Sequence, residues 1–387
     1  MSRSSWLAHA FLGFAAYCVC SIVSAAQWSL QPTVQLYFDH DSNRLLTPVN
    51  EESDDAAWLT IDALLKRASE TGEVDVHPEI QIQRFSGDTP LDSNNGSLQL
   101  SALHNGEIFS YTASAGYADR STYISELENT GVIDASARQE AANVNAGVAD
   151  QFTERQRVGV QATYVDVKYP DGEHVGLVGY SDPGISMTYT YGLSPETSLS
   201  ASAFGSRATA PDIGFSSRDV GTRFAWAYIF SPTTNISASV GVSRANIESQ
   251  ESTGSLWALQ GTHNSELTQW TFSFTRDVVP SGFGLLIRRD ELDLSLIHKI
   301  SQHLDATLSV LAAHNSDLLT SFTEDNRRYF SGAAGIDWHT APQWVLSFKV
   351  RASEARVPST TERLQVADGW QSIISLLWTP LPWTKSR

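Results

Sequence analysis

Three short stretches hold residues whose types and spacing could do chemistry. In EVDVHPE, Asp75, His77 and Glu79 occupy alternate positions. On a strand they share one face, where a carboxylate–imidazole–carboxylate row could move protons or hold a metal ion. His314 stands beside Asn315 and Ser316, and histidine with a serine and an orienting residue is the set a surface hydrolase needs. DHDSN, Asp39 to Asn43, has the D-x-D-x-N spacing of a calcium loop. It lacks the following glycine and the properly placed distal glutamate. No G-x-S-x-G, H-E-x-x-H or phosphate-cradling glycine loop occurs. The plainer reading of all three stretches is polar wall and polar loop. We therefore expect no catalytic residue, no metal site and no cofactor, and the chain is not read as an enzyme.

The elements that position these residues alternate with period 2. In NISASVGVSR, Ile236, Ala238, Val240 and Val242 are apolar, while Ser237, Ser239, Gly241 and Ser243 are small or polar. Successive strand side chains point to opposite faces, so this is a strand with two unlike sides. EIFSYTASAGY, GISMTYTYG, DVGTRFAWAYIF, QWTFSFT and DATLSVLAAH repeat the pattern, and no helical period is sustained beyond the N-terminus. Connectors alternate in length. Short ones lie at Glu70, His104, Thr153, Leu193, Ser231, His263, Ser301 and Ala341. Longer ones cover roughly 40–56, 87–95, 120–141, 170–182, 208–217, 246–254, 278–285, 315–327 and 356–367. Short turns on one rim and long loops on the other describe a transmembrane antiparallel up-and-down β-barrel, here of about eighteen strands, sixteen to eighteen being compatible.

Composition agrees. The 387 residues carry a net charge of -17, which argues against nucleic acid as a partner, since phosphate backbones need a concentrated basic face. Residues 1–26 read as a cleaved signal peptide: Arg3, an apolar run from Ala10 to Val23, then Ser24-Ala25-Ala26 before Gln27. The run is shorter than the roughly 20 residues of a spanning helix. Cys18 and Cys20 both fall inside it, so a mature barrel over 27–387 has no disulfide framework. The expected location is the outer membrane of a Gram-negative cell.

The two faces separate the remaining residues. Asp75, His77, Glu79, Arg223, Glu291, Asp293, Lys349 and Arg351 fall on the polar parity and are expected to line a lumen. Phe109, Tyr191, Tyr228, Phe230, Trp270, Trp338, Trp344 and Trp378 fall on the apolar parity near short turns. They suit an aromatic girdle at the periplasmic interface. Arg84, Lys168, Arg207, Arg218, Arg244, Arg276, Arg288 and Arg328 continue the apolar parity toward long loops. Arginine costs roughly 2–4 kcal/mol at mid-membrane but little at the interface, so these residues are expected to face lipopolysaccharide phosphates. Acidic groups low in the lumen suggest a mild cation preference. The 120–141 loop either folds inward as a constriction or stays exposed.

RSTYISELENTGVI at residues 120–133 resembles a family of outer-membrane barrels associated with exosortase (PEP-CTERM) and exopolysaccharide loci. TERQRVGVQATYVDVKYPDG, the SPETSLSAS-type hairpins and the terminal WTPLPWTKSR are similar too. The chain departs from many barrels in continuing past Trp378 with a proline-containing tail. The resemblance implies an outer-membrane barrel linked to surface polysaccharide, with no catalytic residues. The expected function is passive passage of hydrophilic solutes, or export-associated passage of polysaccharide. The alternatives are a loop-presenting envelope protein and, remotely, a lipid hydrolase centred on His314. Outer-membrane lipids with lipopolysaccharide, the barrel assembly machinery and polysaccharide export components are the expected partners.

Overall fold

The computed structural model describes residues 26–49, 51–87, 91–123, 125, 137–247, 250–282, 286–318, 326–357 and 365–386; residues 1–25, and with them nearly all of the expected signal peptide, lie outside. The first nine strands are β1 (Gln27–Asp41), β2 (Asp54–Ala68), β3 (Gly72–Phe85), β4 (Ser93–Asn105), β5 (Phe109–Ser121), β6 (Arg138–Thr153), β7 (Gln156–Lys168), β8 (Tyr180–Gly192) and β9 (Thr197–Ser206). A two-residue piece, β10 (Thr209–Ala210), lies in the next connector. Then come β11 (Phe215–Ser231), β12 (Thr234–Ile247), β13 (Gln250–Asn264), β14 (Thr268–Pro280), β15 (Leu286–Ser301), β16 (Leu304–Asp317), β17 (Arg327–Ala341), β18 (Trp344–Val357), β19 (Gln365–Trp378) and β20 (Trp383–Ser386).

Eighteen of these strands, all but β10 and β20, close into one antiparallel barrel. Each pairs with its successor, β9 pairs with β11, and β19 returns to β1 with Val34 opposite Trp378 and Asp41 opposite Gln371. Closure leaves no free sheet edge. An even strand number lets the first and last strands meet antiparallel.

The NISASVGVSR strand shows what decides the faces. On β12, Ile236, Ala238, Val240, Val242 and Arg244 stand opposite Tyr228, Trp226, Phe224, Thr222 and Val220 of β11. All of these point outward. Phe224 is 63% and Val240 64% exposed, so no protein core covers the row. Comparable outward rows carry exposed Ile80, Leu98, Ile185, Met187, Phe348 and Ile374. The apolar face is thus turned to the surroundings, as lipid requires.

Strands of 13 to 17 residues, the ten-residue β9 excepted, exceed the roughly 9–11 needed to cross the hydrocarbon, so most of the wall rises beyond the apolar band. At 246–254 this replaces the expected long loop. β12 runs to Ile247, β13 begins at Gln250, and Asn246 pairs with Glu251. The polar outward residues there are compatible with a strand standing in water.

Two segments fold into the barrel at the long-loop rim. The first is the β1–β2 connector. Leu46, with φ 45°, is buried in one cluster with Tyr329, Ala355 and Ala367 of the inner wall. Gly369 permits this approach, since a Cβ there would lie 3.2 Å from Asn43 and 3.4 Å from Leu46 Cδ2. The second is the top of the β14–β15 hairpin. The β13–β14 ladder stops at Trp257–Arg276, whereas β12–β13 continues to the Ile247–Gln250 pair. Above that point, the inner-wall residues Ala245 and Ile247 are buried in one cluster with Leu286, with Val278 packed against it. The Val178 N–H donates to Gly282 O at 2.7 Å, tying the hairpin to the β7–β8 connector. The hairpin therefore leaves the wall and lies across the inner face of β11 to β13.

At the opposite rim the tail closes the seam. β19 covers only the upper part of β1, and β20 pairs Trp383 with Leu30 and Ser386 with Gln27. Between these ladders, Thr379-Pro380-Leu381-Pro382 passes Gln31-Pro32-Thr33. Proline lacks the N–H a ladder needs, so the seam ladder is interrupted there, while β1 itself runs on unbroken against β2. The proline-containing tail is thus a broken continuation of the last strand.

Candidate functional site: the lumen and its mouth

All eight residues expected to line the lumen are placed by the strand register on the inward row. On β3, Asp75, His77 and Glu79 face Lys66, Asp62 and Arg120 rather than one another. Lys66 Nζ lies 2.5 Å from Glu73, the residue before Asp75 on this row; His77 Nε2 lies 3.3 Å from Asp62, and Arg120 lies 3.8 Å from Glu79. The row is thus tied by polar contacts to β2 on one side and β5 on the other, and among the described residues no group of three potential ligands surrounds a metal position. Arg223 pairs with Asp277 on β14. Arg289 lies 2.6 Å from Glu291. Lys349 and Arg351 occupy the inner face of β18, opposite Gly335 and Ala333.

Two clefts adjoin the in-folded hairpin. One, of ≈ 430 Å³, is lined by Gln139, Tyr180, Asp182, Asp277, Arg289 and Glu291. The other, of ≈ 350 Å³, is lined by Arg289, Glu291, Asp293, Tyr329, Ser331 and Arg351. Arg289 and Glu291 belong to both, so the clefts adjoin at the folded hairpin.

The first in-folded segment is organised around Arg44, a residue the sequence reading passed over. Its side chain is 2% exposed and lies 3.0 Å from Asp39 and 3.6 Å from Asp54. Its guanidinium also sits 5.0 Å above the Phe85 ring. Asp39 accepts a further bond from Gln371. Burial pushes the Tyr123 phenol up to about 12, with Arg44 acting in the opposite direction. Tyr37, Trp58, Phe85 and Tyr123 form a file of rings with centroids 6.3 to 6.4 Å apart. The available signal was their parity: Trp58 and Phe85 share the polar row with Thr60 and Gln83. The DHDSN spacing serves this turn, as Asp41 accepts the Asn43 N–H at 3.0 Å and Asn43 Oδ1 accepts the Thr47 N–H at 3.0 Å. The connector is shorter than the expected 120–141 loop, since β5 runs to Ser121 and β6 begins at Arg138; Thr122, Tyr123, Ser125 and Ala137 within it are buried, and residues 124 and 126–136 lie outside the described residues.

The expected girdle residues Phe109, Tyr191, Tyr228, Phe230, Trp270, Trp338, Trp344 and Trp378 lie at the short-turn end. Tyr228 and Phe230 are 5.5 Å apart, and Trp344 and Trp378 6.2 Å. Trp28, with Arg67 over its ring at 5.8 Å, and Trp383 extend this set.

The basic belt is less uniform than its parity implies. Arg84 is 3.8 Å from Asp92 and Lys168 3.5 Å from Asp166. Arg244 pairs with Glu251, and Arg276 bonds both oxygens of Asp290 at 2.5 and 2.7 Å. Arg288 is placed differently from the sequence expectation. It is carried inward with the hairpin, its Nη2 3.3 Å from the point a Gly254 Cβ would occupy. Parity fixed its face relative to its own strand but not the direction that strand takes. Arg207, Arg218 and Arg328 stay exposed without a carboxylate partner among the described residues. His314 meets Asn326 at 3.1 Å and Asp290 at 3.9 Å, and no serine hydroxyl is among these contacts.

No protein-family model and no curated protein matches the sequence. Several solved structures match at low similarity. The outer membrane protein opdK from Pseudomonas aeruginosa is 9% identical with a TM-score of 0.46, covering 92% of this chain and 99% of that one. OccK9 (OpdG) from the same organism is 11% identical with a TM-score of 0.47, covering 92% and 98%. OccAB3 from Acinetobacter baumannii is 10% identical with a TM-score of 0.45, covering 92% and 99%. The barrel assignment stands on the strand pairings themselves.

Proposed function

We propose that this chain is a passive outer-membrane channel for small hydrophilic solutes. The observation supporting it is the contrast between the two sides of one wall. The outer face is an exposed apolar band, and the inner face carries charged and hydroxyl side chains around clefts that remain open beside the in-folded segments. An eighteen-strand barrel is wide enough for an aqueous lumen. In this reading residues 1–26 are an export signal, short turns face the periplasm, and assembly machinery inserts the barrel. The connection to exosortase-associated loci and polysaccharide export is the finer part of the reading. The narrowed mouth favours small solutes over an extended polymer.

Single-channel recording of refolded protein in a planar bilayer tests the proposal. Discrete steps that scale with salt are expected, with a reversal potential showing mild cation preference. Silence from protein whose heat-modifiable gel mobility shows a folded barrel would overturn it in favour of the loop-presenting reading.

A further inference from the structure

Arg207 and Arg218 stand side by side on the outer wall. The β9–β11 ladder pairs Ser206 with Asp219, and the Ser217 N–H donates to Ala208 O at 2.8 Å. That register sets Arg207 directly opposite Arg218. The pair falls between two hydrogen-bonded positions, where opposing side chains approach most closely. Both residues are exposed, and neither has a carboxylate partner among the described residues. Arg207 Nε donates to Ser216 Oγ at 3.2 Å. Arg244 stands one strand further on. It is opposite Val220, hence diagonal to Arg218, and it is paired with Glu251.

Like charges directly opposite each other destabilise a sheet. Elsewhere the wall offsets the problem: Arg328 stands opposite Arg356, but Arg356 holds Glu354 at 2.6 Å. The Arg207–Arg218 pair has no such relief. Its position supplies one. Below Arg218 on β11 lie Val220 and Phe224, and below Arg244 on β12 lie Val242 and Val240, all exposed and apolar. An anion carried on hydrocarbon chains would seat its chains on that band and its charge between the guanidinium groups.

We infer that Arg207 and Arg218, with Arg244 beside them, form a binding site for the phosphate group of a phosphorylated lipid of the surrounding leaflet. Two guanidinium groups offer paired, charge-assisted hydrogen bonds to phosphate oxygens. The site rests on the membrane placement proposed above, but not on conduction.

The test compares wild type with Arg207→Gln/Arg218→Gln in detergent micelles. The micelles are doped with bisphosphorylated lipid A, with lipid A stripped of phosphate, or with phosphatidylcholine. The readout is the temperature at which heat-modifiable gel mobility is lost. Phosphorylated lipid A should raise it for wild type, and the variant should bind that lipid about tenfold or more weakly. Without lipid the variant should melt at or above wild type, because a repulsion has been removed. Arg356→Gln should keep the lipid response, and Arg207→Lys/Arg218→Lys should keep part of it. An equal response to stripped lipid A, or an undiminished response in the Gln variant, would overturn the site. Millimolar inorganic phosphate giving the whole response by itself would overturn the lipid source. Conductance measured on the same preparations separates the two proposals: a lipid response without channels sinks only the channel, and channels without a lipid response sink only this site.

Discussion

The guanidinium of Arg223 on β11 reaches across the inner faces of two intervening strands to the carboxylate of Asp277 on β14. Gly241 of β12, opposite Arg223, clears the way. A Cβ there would come within 3.1 Å of Arg223 Cα and closer still to Thr222 O. The bond fastens the base of the in-folded hairpin to the wall it covers. Arg223→Ala or Asp277→Asn should loosen the hairpin, giving larger and noisier single-channel currents. Both partners are partly exposed, so a double-mutant cycle should give a coupling of only about 0.5–1 kcal/mol. An unchanged current in both variants would remove the latch.

The apolar side of the same hairpin makes a separate prediction. Leu286 is 3% exposed, against Ala245, Ile247 and Phe215. Leu286→Asp would place an unpaired carboxylate in that cluster, a cost of several kcal/mol unless the hairpin moves out. The expected outcome is rapid trypsin cleavage at Arg288 or Arg289 in a barrel that still shows heat-modifiable mobility. Resistance equal to wild type would mean the cluster does not hold the hairpin.

Tyr123 gives the mouth a pH dependence. Burial raises its pKa from 10.0 to about 12. The folded mouth therefore holds this proton more tightly than the unfolded chain does. The associated stability is complete below about pH 10 and is lost as pH rises through about 12. Ultraviolet difference spectra should show one tyrosine ionising near the top of that range, absent in Tyr123→Phe. Losing the hydroxyl beside Arg44 should cost about 1 kcal/mol in unfolding titrations. Ionisation of every tyrosine near pH 10 would contradict the burial.

The wall itself is tested by one step of register. Val240 faces outward and Ser239 inward. Val240→Arg should destabilise the barrel by roughly 2–4 kcal/mol in lipid vesicles. Ser239→Arg should leave stability nearly unchanged and alter conductance instead. Equal costs at the two positions would mean that the faces have been misread.

Residues such as those of NISASVGVSR fix the barrel in the sequence by themselves. Period-2 alternation records which side of each strand meets lipid, and Gly, Pro and Asn mark where the chain turns. Strand number and the inward row of Asp75, His77 and Glu79 follow from that, because parity is a local property of the pleat. The partners of those residues do not. Asp62 and Lys66 meet the β3 row only through the register of β2, and Arg223 meets Asp277 only because a hairpin leaves the wall. Arg288 shows the limit most plainly: its parity is outward, yet a bend below it carries the side chain inward. Alternation specifies a face relative to a strand, whereas long-range packing specifies where the strand goes. Arg207 and Arg218 combine both kinds of information. Their outward parity is written in the sequence, but only the pairing of β9 with β11 sets their charges side by side.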